Sequence, residues 1–179
     1  MRRQIAVIGA VAGLLASGCG GGSSSGTSAG SYVRAVCAAV RDWTREIEAR
    51  TSALHLASIT NTKQGKAAIQ QFLRGAVADT GAAVAAMRSA GTPAVANGNQ
   101  ISATVVSSFA EIDAALTRGQ KQAAALPTDD PSAFRDRGRA LAGSVQRALT
   151  SISSGLSGLG SPEVAKAAQK EPACAAPRA

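Results

Sequence analysis

Aromatic residues are scarce in this sequence, and their scarcity excludes most β-rich folds. Only five of the 179 residues are aromatic, namely Tyr32, Trp43, Phe72, Phe109 and Phe134. Alanine, by contrast, occurs 40 times and supplies about half of the 45% hydrophobic fraction. Strands favour branched and aromatic residues, whereas alanine is the strongest helix former. We therefore expect an all-α domain rather than a β-sandwich, a β-barrel or a disordered chain.

Residues that carry out catalysis or bind metals are also few. His55 is the only histidine, and the chain has no HExxH, P-loop or EF-hand pattern and no GxGxxG after a strand. A di-iron bundle would need Glu-x-x-His repeats, which are missing as well. His55 fits a solvent-facing place at a helix end, with a role as ligand or base as the alternative. The sequence predicts a protein that is not an enzyme and that carries no cofactor or metal.

Charged residues are mixed along the chain. Between Asp42 and Arg50, acidic and basic residues alternate as on a salt-bridged helix surface, with Asp42/Arg45 and Glu46/Arg50 as helix neighbours. Glu111 and Asp113 lie two positions apart and point to different sides of a helix. None of these carboxylates forms a convincing catalytic pair.

The basic balance bears on possible partners. Without Arg2 and Arg3 the chain retains a net charge of +6. Its basic residues are scattered and lack interleaved aromatics, which argues against nucleic acid as a partner. Anionic lipid or another anionic envelope surface is the more natural partner. The alternative is that the basic residues form a solvated helix surface without such a partner. Arg135, Arg137 and Arg139 either belong to such a contact or form a solvated helix face.

The first nineteen residues have the form of an export signal. Met1-Arg2-Arg3 is positive, and the uncharged apolar run from Ile5 to Ala16 is too short to span about 30 Å of hydrocarbon comfortably. The following Leu15-Ala16-Ser17-Gly18-Cys19 resembles the lipobox of bacterial lipoproteins, although Leu15 lies one position further from the cysteine than is usual. The resemblance implies that Cys19 becomes the mature N-terminus, carries a diacylglyceryl group and anchors the protein to the extracytoplasmic face of the cell membrane.

This resemblance divides the chain into three parts. Residues 1–18 would be the signal peptide, residues 19–30 the lipidated cysteine with a flexible Gly/Ser tether, and residues 31–179 the helical domain. The abundance of Arg and Ala makes the chain similar to small envelope lipoproteins of actinobacteria. Arg2-Arg3 leaves the export route open between the general secretory and the twin-arginine pathway.

Three cysteines are present, and the anchor would use one of them. Cys37 and Cys174 then remain as a pair in an oxidising compartment, where a disulfide would tie the C-terminal tail to the first helix. The alternative is a free thiol or a metal pair, but two sulfurs without companion histidines do not complete a zinc site.

Apolar residues recur at spacings of three and four, and this periodicity predicts four long helices and a short fifth one. The apolar stripes are Val33, Val36, Val40, Trp43, Ile47 and Leu54 in the first helix, Ile69, Leu73, Ala76, Thr80, Val84 and Met87 in the second, Ile101, Val105, Phe109, Ile112, Leu116 and Leu126 in the third, and Phe134, Leu141, Val145, Leu149, Ile152, Leu156 and Leu159 in the fourth. Arg50 is the one charged interruption of the first stripe. The expected helices run from Ser31 to Leu54, from about Lys63 to Ala90, from Asn97 or Asn99 to Leu126, from Pro131 to Gly160, and from Ser161 towards Cys174. Gly91-Thr92-Pro93 should end the second helix, Asn97 or Asn99 can cap the third, and Asp130 should cap the fourth. Short turns favour an up-down-up-down four-helix bundle with the first and fourth helices side by side, its C-terminal tail stapled by the disulfide.

These features predict a membrane-anchored envelope lipoprotein whose helical bundle is a non-catalytic interaction or structural module. Its partner would be an envelope protein or an anionic envelope surface. The alternative function is a carrier that holds a lipid or another apolar ligand between its helices. Trp43 either packs in the core or lines a slot for that ligand. A carrier needs a cavity, and a tightly packed bundle has none.

Overall fold

A computed structural model of the protein describes residues 26–54, 59–156 and 161–175, with side chains as far as residue 147 in the fourth helix. These described residues form five α-helices and a 3₁₀ turn. The helices are α1 (Ala29–Ser52), α2 (Thr62–Ser89), α3 (Gly98–Ala124), α4 (Pro131–Leu156) and α5 (Pro162–Lys170), followed by the 3₁₀ turn Pro172–Cys174. The four long helices pack antiparallel, and the disulfide between Cys37 and Cys174 joins α1 to the C-terminal turn. The predicted all-α bundle with a stapled tail is confirmed.

Side-chain caps explain where most of the helices begin. Ser28 accepts a hydrogen bond from the Ser31 backbone N–H, and so α1 starts two residues before the predicted boundary. Asn61 caps α2 in the same way through the Gln64 N–H at 2.9 Å. Asp130 Oδ1 accepts from the backbone N–H groups that follow Pro131, as the sequence predicted. Ser161 caps α5.

The loop from α2 to α3 departs from the prediction in one respect. Gly91 has a left-handed φ of 74° directly after α2, and Pro93 follows, as expected of a helix end. Asn97 occupies the N-cap position of α3, but it is itself left-handed, with φ at 59°, and its side chain makes no capping hydrogen bond. Asn99 lies inside the helix. The predicted position of the cap is thus right for Asn97, but its side chain does not supply the capping hydrogen bond. The chain turns tightly into α3 at Gly98, where a Cβ would collide with the Pro93 carbonyl.

The main core lies between α2 and α3. The predicted stripes of these two helices are buried except for Ile69, which is half-buried. Ala76 and Thr80 of α2 and Ala123 of α3 are wholly enclosed. Helices α1 and α4 cover this core with half-buried apolar side chains: Val36, Val40, Trp43, Ile47, Phe134 and Val145. Leu126 is buried although α3 ends before it. Of the residues predicted on the α4 stripe, Leu149, Ile152, Leu156 and Leu159 fall outside the described side chains.

Glycines let the helices approach closely at two points in this core. A Cβ on Gly119 of α3 would lie 3.3 Å from Leu141 Cδ1 of α4, tighter than ordinary contact. A Cβ on Gly65 of α2 would lie 2.9 Å from Cζ of the Phe134 ring. Because the packing is this close, replacing either of these two glycines by a larger residue would displace side chains of α4.

Close helix packing in the described residues follows the chain order, from α1–α2 to α2–α3 and α3–α4. The next partner of α1 is α5 with the 3₁₀ turn, whereas α1 and α4 are not among the closely packed pairs. This corrects the expectation that α1 and α4 lie side by side. Helix α5 takes that place: Val164, Ala167 and Ala168 pack against a second buried cluster that contains Tyr32 and Val33.

The bundle therefore has two different ends. The start of α1, the α2–α3 loop and α5 form one of them, which we call the α5 end. The α1–α2 connection and the α3–α4 turn form the other, called the far end. At the far end Lys66 Nζ donates to the Leu126 carbonyl at 2.8 Å, and the Thr62 hydroxyl donates to the Thr128 carbonyl at 2.5 Å. No helix in the described ranges is long and apolar enough to cross a membrane.

Candidate functional site

The disulfide fixes the C-terminal tail to the first third of α1. The Cα atoms of Cys37 and Cys174 lie 5.0 Å apart, although 137 residues separate them along the chain. One turn earlier, Arg34 Nε donates to Glu171 Oε2 at 3.0 Å. This hydrogen bond lowers the pKa of the Glu171 carboxyl. The tail is thus held at two adjacent points by a covalent bond and an ion pair.

Trp43 packs against the core and also borders a surface cleft. Its ring packs edge-on against Phe109, with centroids 5.3 Å apart. Its indole N–H donates to Thr80 Oγ1 at 2.9 Å, and the Thr80 hydroxyl donates to the Ala76 carbonyl at 2.7 Å. Because Thr80 is fully buried, this chain of hydrogen bonds satisfies polar groups that have no access to water. Packing in the core is therefore the main structural role of Trp43.

A surface cleft of about 230 Å³ runs beside Trp43 between α1 and α2. Its walls are mostly alanine, and its rim is acidic. The lining consists of Ala39, Ala82, Ala83 and Ala86 with Asp42, Glu46 and Asp79. This cleft is the slot that a carrier function would use. Two of these carboxylates already pair with arginines, Asp79 with Arg50 and Asp42 with Arg45.

The arginine that interrupts the apolar stripe of α1 pairs with a neighbouring helix. Arg50 makes two hydrogen bonds to the Asp79 carboxylate on α2, one of them from Nη2 to Oδ1 at 2.8 Å. The Asp79 carboxylate raises the pKa of the Arg50 guanidinium. A Cβ on Gly75 would collide with this guanidinium, so the glycine makes the crossing possible. The predicted partner, Glu46, makes no ion pair with Arg50 at contact distance.

The sequence carries a signal for the pairing of Arg50 with a facing helix, although the predicted partner was Glu46 of the same helix. An arginine on an apolar stripe needs a partner from the facing helix, because an unpaired charge is costly in a low-dielectric place. Asp79 and Gly75 lie four residues apart on α2 and so share one face of it. That combination indicates an arginine site between helices.

The remaining charged residues behave largely as a solvated surface. Arg45 pairs with Asp42 at 3.3 Å, and Arg139 pairs with Asp136 at 3.1 Å. Arg135, Arg137 and Arg139 are exposed and fan around α4, and Arg137 borders a cleft of about 300 Å³ between α3 and α4. Glu111 is exposed and Asp113 half-buried, and His55 lies outside the described residues.

The chain just before α1 is docked against the bundle. The Thr27 N–H donates to the Thr92 carbonyl, and the Ala94 N–H donates to the Thr27 carbonyl, both at 2.8 Å. A Cβ on Gly26 would lie 2.8 Å from the Thr92 carbonyl oxygen, which shows how closely the two segments approach. The tether predicted over residues 19–30 is thus held at its described end, and its last two residues are helical. Cys19 itself lies outside the described residues.

A further cleft of about 450 Å³ lies at the far end, where Arg50, Leu54, Ile59 and Phe72 are among its lining residues. The described ranges hold no group of three or more His, Cys, Asp or Glu residues that could bind a metal ion. No family model, curated protein or solved structure matches the chain.

Proposed function

We propose that the protein is a membrane-anchored envelope lipoprotein. Its signal peptide, residues 1–18, would be removed, and Cys19 would carry the diacylglyceryl anchor on the extracytoplasmic face of the cell membrane. The helical bundle would be a non-catalytic interaction or structural module, with an envelope protein or an anionic envelope surface as its partner.

The observation that carries this proposal is the disulfide between Cys37 and Cys174. Disulfides persist in oxidising compartments outside the cytoplasm and are rare inside it. A bridge between these two cysteines therefore supports export, which the leader sequence implies independently. Export also removes nucleic acid from the set of natural partners, in agreement with the scattered basic residues.

The packing around Trp43 supports an interaction module over a carrier that would use the slot beside this residue. The cleft beside Trp43 is about 230 Å³, below the range of about 300–1,000 Å³ that is usual for small-molecule pockets. The hydrogen bond from Trp43 to Thr80 holds the indole in the core, so that opening the slot would break it. The carrier remains the second candidate, and a ligand of lipid size retained by the purified protein in native mass spectrometry would favour it.

Lipidation is tested with a pair of cysteine substitutions in a host that processes lipoproteins. Cys19→Ala should move the protein out of the detergent-soluble membrane fraction and abolish the diacylglyceryl mass on the N-terminal peptide. Cys37→Ala is the matched control, because it removes a cysteine without touching the proposed anchor. A Cys19→Ala protein that fractionates and weighs as wild type does would refute the proposal.

A further inference from the structure

The docking of Thr27 determines where the chain leaves the bundle. Two backbone hydrogen bonds hold this residue to Thr92 and Ala94, in the loop between α2 and α3. That loop belongs to the α5 end, together with the start of α1. The segment leading back towards Cys19 therefore starts from the α5 end.

The length of that segment limits how far this end can lie from an anchor at Cys19. Seven residue steps separate Cys19 from Gly26, and even a fully extended chain of that length spans at most about 25 Å. The bundle is longer than this, since the 27 residues of α3 extend over about 40 Å. The α5 end is thus kept near the anchor, and the far end reaches the membrane surface only if the bundle lies flat.

The α5 end also carries exposed cations. Lys166 and Lys170 lie one turn apart on α5, while Val164, Ala167 and Ala168 of the same helix pack on the bundle. Arg88 is exposed in the last turn of α2. Of the carboxylates on α5 and just after it, Glu171 is neutralised by its ion pair with Arg34. Glu163 accepts a hydrogen bond from the neutral Ser161 hydroxyl and keeps its charge, and the three exposed cations outnumber it. Exposed lysine and arginine of this kind are attracted to anionic lipid headgroups.

We propose that the α5 end is a membrane-facing surface that rests on anionic phospholipid headgroups, with the bundle standing on this end. The inference rests on the lipidation of Cys19 proposed above. In this orientation the far end faces away from the membrane. The far end includes the Arg50–Asp79 pair and the cleft of about 450 Å³ beside it. Envelope partners would then meet the far end.

The test compares one label position at each end of the full-length lipidated protein. Ala96→Cys places a thiol-reactive donor fluorophore on an exposed residue of the α2–α3 loop, and Asp129→Cys places it on an exposed residue of the α3–α4 turn. The protein is reconstituted in vesicles of phosphatidylcholine and phosphatidylglycerol that contain an acceptor dye on the headgroups. We expect strong energy transfer from position 96 and weak transfer from position 129, because the two ends are about 40 Å apart. Equal transfer from both positions, or the reverse order, would overturn the proposal.

A second pair of variants tests the role of the docked segment. Gly26→Val places side-chain atoms against the Thr92 carbonyl and should release the segment, so that the difference between the two label positions shrinks. Gly30→Ala is the control, since a Cβ there has no heavy atom within 4 Å. A difference that Gly26→Val leaves unchanged would show that docking does not orient the bundle.

The mass of the N-terminal peptide distinguishes a failure of the proposed lipidation from a failure of the proposed orientation. Protein without a diacylglyceryl group that fails to bind vesicles refutes the proposed function, and the orientation with it. Protein that carries the lipid and binds, but shows equal transfer from both ends, refutes the orientation alone.

Discussion

The substitution Cys37→Ser opens the disulfide and should lower the free energy of unfolding of the domain. The size of the loss depends on the conformational entropy that the bridge removes from the unfolded chain. The bridge closes a loop across 137 residues, and the chain-entropy relation gives about 5 kcal/mol for a loop of this length. Measured losses for native disulfides extend from that value down to about 2 kcal/mol. In a domain of this size, 1 kcal/mol corresponds to about 2–4 °C, so the melting temperature should fall by about 5–20 °C.

The effect should arise mainly in the unfolded state, because the tail keeps its other contacts. Arg34 still pairs with Glu171, and the apolar face of α5 still packs against Tyr32 and Val33. We therefore expect Cys37→Ser to retain the helix content of the parent protein at 25 °C while it melts earlier.

Far-UV circular dichroism melts in non-reducing buffer measure this loss. Parent and variant should both carry Cys19→Ala, so that the protein is free of the anchor and of a third thiol. Cys174→Ser and the double variant should melt together with Cys37→Ser, because each opens the same bridge. A Cys37→Ser protein that melts with the parent would refute the reasoning. Single variants that differ widely from each other would instead assign the loss to local packing.

Two further predictions concern polar contacts. Thr80→Val keeps the shape of the side chain but leaves the Trp43 N–H without its acceptor, and it should destabilise the protein by about 1–3 kcal/mol in urea unfolding. In a Trp43→Phe background the same substitution should destabilise it less, and an equal loss in both backgrounds would contradict the role of this hydrogen bond. Because Arg34 lowers the pKa of Glu171, the ion pair stabilises the fold fully above the ordinary carboxyl pKa of 4.5, and this stabilisation disappears as the pH falls through the lowered value. The difference in melting temperature between wild type and Glu171→Gln should therefore vanish in strong acid, whereas a difference independent of pH would refute the assignment.

The elements of the fold could be predicted because their causes are local. Apolar residues at helical spacing, Asp130 before Pro131 and Gly91 before Pro93 act within a few residues of themselves, so they mark helices and their ends whatever the rest of the chain does. The disulfide was predictable for a different reason, since assigning Cys19 to the anchor leaves Cys37 and Cys174 as the remaining pair. Asn97 shows the limit of such rules, because the tight turn at Gly98 gives its backbone a left-handed conformation.

The relations between elements depended on the tertiary structure. Periodicity along one helix does not state how that helix is rotated against its neighbours, so it could not decide that Arg50 pairs with Asp79 or that α5 takes the place beside α1. The docking of Thr27 on Thr92 and Ala94 has no sequence pattern from which it could be predicted, because hydrogen bonds between backbone groups need no particular side chain. The sequence by itself thus determined the helices, most of their caps and the cysteine pair. The partner of Arg50 and the path of the chain into the bundle were decided only when the helices packed.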